Sequence, residues 1–142
     1  MAQSELFELA TRIDRLMRRM NASLTARAPG FDPDGVGPVG GMILLTIGDL
    51  EPAPMQRIAD TMARDKAQLS RMVSALERRG LVERHRHASD KRSSLLSLSQ
   101  EGAAFVEAIK GVLADTLDDL LDPLDAAERR RLIALLTKIE AR

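Results

Sequence analysis

A mainly α-helical fold carrying one small β-hairpin is what this sequence predicts, on three observations. Apolar residues recur at spacings of three and four along most of the chain. Aromatic residues are only 2% of the 142, namely Phe7, Phe31 and Phe105, which leaves a core of Leu, Ile, Val, Met and Ala. Such a core suits helix packing better than pleated surfaces. Strand character is confined to the stretch between Gly80 and Ser99.

Leu6, Leu9, Ile13, Leu16, Met20 and Leu24 place a long amphipathic helix over residues 3–27, and Pro29 with Gly30 is expected to end it. The Gly- and Pro-rich stretch 29–41 reads as a loop. The apolar cluster from Met42 to Leu50 fits helix or strand by periodicity, and the segments after it favour helix. Pro52 and Pro54 separate it from a short helix over 55–62. After a turn at Ala63 and Arg64 comes a helix over 65–79 with the apolar stripe Leu69, Met72, Val73 and Leu76, Asp65 at its start and Gly80 as its stop. Two short strands are expected at 81–86 and 94–98, joined by a polar loop over 87–93. Ser99 is a suitable N-cap for a helix over 100–121 with Phe105, Ile109, Val112, Leu113, Leu117 and Leu120 inward. Pro123 breaks that helix, and Asp125 with Glu128 forms a capping pair for a last one carrying Leu132, Leu135, Leu136 and Ile139.

Helix, turn, helix, hairpin from Met55 to Leu98 is the order of a winged helix-turn-helix. The fold class is therefore a winged helix-turn-helix core with N- and C-terminal dimerisation helices. The expected division is 1–35 for the N-terminal helix and loop, 36–99 for a DNA-binding domain, and 100–142 for the C-terminal helices. With about 100° per residue, the apolar stripe turns Ala67, Ser70, Arg71, Ser74 and Arg78 outward, flanked by Lys66 and Gln68. No Asp or Glu lies on that arc, whereas an ordinary exposed surface mixes both signs. Arg and Gln pair bidentately with base edges in a major groove, and Ser either donates or accepts. Arg86, His87, Lys91 and Arg92 place cations on the hairpin, suited to an adjacent minor groove. The formal net charge is zero, yet the segment from Arg64 to Arg92 holds nine basic and four acidic residues, a net of +5. A confined basic block on a neutral chain suits one anion-binding face.

The run DKAQLSRMVSALERRGLVERHRHASDKRSSLLSLSQEG, from Asp65 to Gly102, resembles the MarR family of regulators. Asp65-Lys66-Ala67-Gln68-Leu69-Ser70-Arg71 stands where the family has its D-K-S-T-x-S-R-like recognition-helix start. Leu76 to Arg84 matches L-x-x-x-G-L-V-x-R, Asp90-Lys91-Arg92 the D-x-R wing element, and Leu98 to Gly102 the L-T-x-x-G step. The resemblance implies major-groove contacts from Ser70, Arg71 and their neighbours, a minor-groove contact from Arg92, and a wing braced by Asp90. Ala67 and Gln68 depart from the family's hydroxyl pair, and His85-Arg86-His87 from its usual Pro or Asp, so operator sequence does not carry over. The resemblance further implies a cytoplasmic repressor that is released from DNA by a small anionic or aromatic effector. Arg12, Arg15, Arg18 and Arg19 read as solvated rather than as effector ligands.

The terminal stripes are long for one small core, which points to a homodimer sharing Leu6, Leu9, Ile13, Leu117, Leu120, Leu132, Leu135, Leu136 and Ile139. Its operator is then pseudo-palindromic. The competing use of the same fold is a winged helix that binds protein without DNA. An enzyme is not expected. The absence of cysteine excludes thiolate chemistry and Cys-type zinc, and the two histidines lie on one side of a strand without a third ligand. The letters Gly35-x-Gly37-x-x-Gly40 spell a dinucleotide pattern but lack the preceding strand it needs. No cofactor or metal is expected, and no apolar run approaches membrane-spanning length.

Overall fold

The computed structural model describes residues 1–87 and 90–141, and at His87 and residues 90–93 the backbone alone. The order is α1 (Gln3–Phe31), α2 (Gly37–Leu50), β1 (Ala53–Pro54), α3 (Met55–Met62), α4 (Lys66–Arg78), β2 (Val82–His87), β3 (Asp90–Leu98), α5 (Gln100–Leu120) and α6 (Ala126–Glu140). The strands make one antiparallel sheet in the order β1-β3-β2. The fold is the mainly helical one expected, with the hairpin as its wing.

Two compact units share the chain. One is Ala28–Gly111, and the other is formed by the two ends, Met1–Arg27 with Val112–Arg142. The first has a continuous apolar core. Ile43, Leu44 and Ile47 of α2, Ile58 of α3, Leu69 and Val73 of α4, and Leu96 of β3 are all fully buried. Residues at spacings of three and four on three helices thus converge on the single face of a sheet, which is the arrangement that removes each stripe from water.

The segment expected to be a loop is largely helix. Pro29 does not end α1 but lies inside its last turn, where its missing N–H forfeits one bond near the helix end. The Asp32 N–H donates to the Ala28 carbonyl at 2.6 Å and extends that turn. The Asp32 carboxylate then accepts from the Val36 and Gly37 N–H groups at 2.7 and 2.9 Å, holding the start of α2. Gly35 and Gly37 have positive φ, of 69° and 81°, and make the turn. Gly40 and Gly41 are instead buried inside α2. A Cβ at Gly40 would stand 2.7 Å from Val36 Cγ1, and one at Gly41 would stand 3.4 Å from Ile109 Cδ1. These glycines serve close packing, so a glycine-rich sequence did not mean a loop. The dinucleotide letters accordingly come after a helix and a turn and run into α2.

The sheet differs in two further respects. Strand β1, absent from the sequence reading, pairs Ala53 with Leu96 and Pro54 with Leu95. Two residues give no periodic signal, and Pro54 is tolerated because the strand lies at the edge. Strand β3 begins at Asp90, so most of the expected loop 87–93 is strand backbone. Its polar residues gave no alternation to read. A register irregularity lies between Arg86 and His87.

In the second unit, Asp125 and Glu128 form the expected capping box: the Glu128 N–H donates to Asp125 Oδ1 at 2.8 Å and the Asp125 N–H to Glu128 Oε2 at 2.9 Å. Arg129 ties the α5–α6 turn, donating to the Leu121 and Leu124 carbonyls at 3.0 and 3.2 Å and pairing with Asp118. Arg27 pairs with Asp119. The apolar residues of this unit remain open to solvent in the single chain: Leu6, Leu9, Ile13, Leu135, Leu136 and Ile139 are exposed, and Leu117 is 39% exposed. Leu120 and Leu132 are half-buried.

Candidate nucleic-acid interface

The turn between α3 and α4 forms around Ala63, whose φ of 50° is left-handed and whose N–H donates to the Asp60 carbonyl at 3.2 Å. Asp65 then caps α4, accepting from the Gln68 N–H at 3.0 Å. The ridge Leu69, Val73 and Leu76 is buried, with Met72 half-buried beside it. The opposite side of α4 is therefore turned to solvent. Lys66, Ala67, Gln68, Arg71 and Arg78 are exposed, and Ser70 and Ser74 are half-buried. Among the described residues, Lys66, Arg71 and Arg78 make no ion pair, so their charges are available to an anion.

The base of the wing is locked to the end of α4. Gly80 has a φ of 75°, and the Leu81 N–H donates back to the Leu76 carbonyl at 3.0 Å. This is a glycine helix stop that sends the chain into β2. From the far end of the hairpin, the Ser99 N–H donates to the Leu81 carbonyl at 3.1 Å. The Ser99 hydroxyl donates to the Gly80 carbonyl and accepts from the Gly102 N–H. A Cβ at Gly102 would stand 2.0 Å from the Leu81 oxygen, so only glycine fits there. The Gly80-Leu81 and Leu98-Ser99-x-x-Gly102 segments are thus two halves of one joint.

The hairpin register sorts the wing residues by face. Val82 pairs with Leu98, Arg84 with Leu96 and Arg86 with Ser94. Val82 and Leu96 are buried, so Arg84 and Arg86 continue the inner face outward past the core. Arg84 Nε donates to Glu77 Oε2 of α4 at 3.2 Å. Glu83 and His85 lie on the other face, where His85 Nε2 is 3.1 Å from the Ser97 hydroxyl and 3.4 Å from Glu83 Oε2. The side chains of His87, Asp90, Lys91 and Arg92 lie outside the described residues, so the expected wing bracing by Asp90 and the minor-groove cations are not placed. Among the described residues no three His, Cys, Asp or Glu side chains cluster as a metal site.

The structure thus brings Lys66, Gln68, Ser70, Arg71, Ser74 and Arg78 onto one helix and Arg86 onto the facing side of the wing. Sequence reasoning missed three features. The Glu77–Arg84 pair spans a glycine stop and obeys no fixed spacing. Gly102 stands out in sequence as the end of the L-T-x-x-G step, but its close approach to the Leu81 carbonyl does not. Arg79 donates from its guanidinium to the Asp34 carbonyl at 2.7 Å across a separation of 45 residues. Beside that bond is a cavity of about 260 Å³ lined by Phe31, Asp34, Val36, Arg79, Leu81 and Phe105, among others.

Comparison with known proteins agrees with this geometry. The profile of the MarR family matches residues 40–94, from within α2 into β3. The chain is 28% identical over 96 residues to the HTH-type transcriptional regulator BilQ of Clostridium symbiosum, covering 68% of this chain and 67% of that one. It resembles the crystal structure of a probable transcriptional regulator from Pseudomonas aeruginosa (TM-score 0.73, 28% identity, 92% of this chain and 95% of the other). It also resembles a cysteine-to-serine mutant of MarR from E. coli complexed with operator DNA (TM-score 0.78, 25% identity, 95% of each chain).

Proposed function

We propose, on the premise that the chain belongs to the MarR family of transcriptional regulators, that it binds double-stranded DNA as a homodimer and represses transcription from a pseudo-palindromic operator. Members of that family regulate transcription and are not enzymes. One observation carries the DNA reading: the outward arc of α4, Ala67, Ser70, Arg71, Ser74 and Arg78, holds no acid, with Glu77 at its edge paired to Arg84, and it rests on the buried ridge Leu69, Val73 and Leu76. That side meets base edges through Gln68, Ser70, Arg71 and Ser74, while Lys66 and Arg78 meet phosphates. Arg86, His87, Lys91 and Arg92 serve the minor groove, with Asp90 bracing the wing. The relative from E. coli, which was crystallised with operator DNA, supports this use of the fold.

In the same reading, residues 36–99 form the DNA-binding domain, and residues 1–35 and 100–142 join two copies. The exposed apolar side chains Leu6, Leu9, Ile13, Leu117, Leu135, Leu136 and Ile139 support that assignment, and Leu120 and Leu132 complete the stripe. An effector completes the scheme. The cavity beside Arg79 has two phenylalanine walls and one guanidinium, but Asp32 and Asp34 line it too and its volume of about 260 Å³ is below the usual range for ligand sites, so the effector is not assigned to it. No helix among the described residues is long and apolar enough to cross a membrane, and a cytoplasmic regulator is the setting proposed.

Selection of bound sequences from random duplex DNA by the purified protein, at stated salt, tests the reading. The expected product is a two-fold related motif with half-sites about one helical turn apart. Affinity for it should fall steeply as salt rises, because phosphate contacts release counterions. Recovery of no motif, with salt-insensitive capture of a protein partner instead, assigns the face to protein contact.

A further inference from the structure

We infer that Glu77 and Arg84 are a strut that fixes the wing against the recognition helix, and that Arg84, though part of the basic block, does not contact DNA. The inference rests on the DNA-binding reading and adds the part that makes two separate groove contacts act as one.

The geometry is specific. Glu77 is the one acidic residue of α4, and it lies off the outward arc. Arg84 is on β2, opposite the fully buried Leu96, on the sheet face that continues from the core. Its Nε donates to Glu77 Oε2 at 3.2 Å, and the two side chains are 32% and 39% exposed, so the pair is partly shielded from water. Below it, Gly80 turns the chain by a left-handed residue and brings no side chain of its own. Among the described residues this is the side-chain hydrogen bond that joins α4 to β2 beyond that turn. One step further along the same face stands Arg86, in register with Ser94. The pair therefore sits between the joint at Gly80 and the part of the wing that reaches the flanking groove, where a small change of angle displaces the tip most.

The charges give a test of sign. Removing an acid near a DNA-binding face ordinarily tightens binding by lowering repulsion of phosphates. A strut predicts that Glu77→Gln loses wing contacts despite that gain. Glu77 and Arg84 also cancel, so Arg84 releases no counterion on binding.

The test uses the full chain and two duplexes built from its selected site, one long and one trimmed of the base pairs outside the recognition-helix half-sites. The readout is the ratio of affinity for the long duplex to that for the trimmed one, which cancels any general charge effect. Glu77→Gln and Arg84→Gln should each lower that ratio about two- to fivefold, the scale of a partly exposed ion pair. The Glu77→Arg/Arg84→Glu exchange should restore most of it, and Arg84→Lys should retain it if the unsubstituted pair acts through charge. Arg84→Gln should leave the salt slope on the trimmed duplex unchanged, whereas a phosphate contact would lower it by about one. An unchanged ratio, equal losses on both duplexes, a reduced salt slope or no recovery in the exchange overturns the strut while leaving DNA binding intact. A wild-type protein that binds neither duplex overturns both readings.

Discussion

In the proposed interface, Arg71 is the residue on which base recognition turns. It is exposed on the acid-free arc of α4, two positions beyond the fully buried Leu69 that fixes the orientation of the helix. Arg71→Ala should cost about 1–3 kcal/mol of operator affinity and relax preference at one base pair. Equilibrium titration against a set of single-base operator variants checks both effects, and a uniform loss across that set would make Arg71 a phosphate contact instead. Gly102 is the residue on which the joint below the wing turns. Gly102→Ala drives a methyl group into the Leu81 carbonyl, 2.0 Å away, and the neighbour is backbone that cannot rotate aside. Urea unfolding should show a loss of about 3 kcal/mol, the upper part of the usual range for overpacking.

Among the elements, α4 and the base of the hairpin are held by contacts at their ends. Asp65 closes the start of α4, Gly80 its end, and Ser99 closes both the hairpin and the start of α5. Helix α6 shows the same economy. Its capping box satisfies one orphan N–H at the helix start and the N–H of the cap residue itself. Asp125→Ala should lower stability by about 1 kcal/mol, read as a fall in the urea midpoint at constant slope. Operator affinity measured well below that midpoint should be unaffected unless α6 frays and weakens association of two copies.

At the scale of the whole molecule, the open question a single chain poses is what covers its terminal helices. Leu6, Leu9, Ile13, Leu135, Leu136 and Ile139 are exposed apolar side chains on the two ends of one sequence. Leu136→Glu places a charge in that stripe. Sedimentation velocity should show wild-type protein at twice 15.6 kDa and the variant shifted toward 15.6 kDa. Wild-type protein sedimenting at the single-chain mass would remove the dimer. The variant should also bind a full palindrome little better than a half-site, since linked half-sites gain only when both heads belong to one particle.

Much of this protein was legible in its residues because the signals are local. The stripe Leu69, Met72, Val73 and Leu76, the stop at Gly80 and the pair Asp125 with Glu128 each act within two turns of chain, and each element stands where its pattern put it. The acid-free arc is a consequence of the stripe by helix geometry alone. Tertiary structure decided what depends on partners distant in sequence. Gly40 and Gly41 lie buried in a helix that their composition did not announce, and a Cβ at Gly41 would meet Ile109, 68 residues along the chain, at 3.4 Å. Ala53 and Pro54 became a strand only because Leu95 and Leu96 supplied the ladder. Gly102 is indispensable because of Leu81, and Arg84 left the set of available cations because of Glu77. Periodicity records which side of an element faces inward, whereas close approach and charge pairing are properties of two surfaces and have no trace in either one alone.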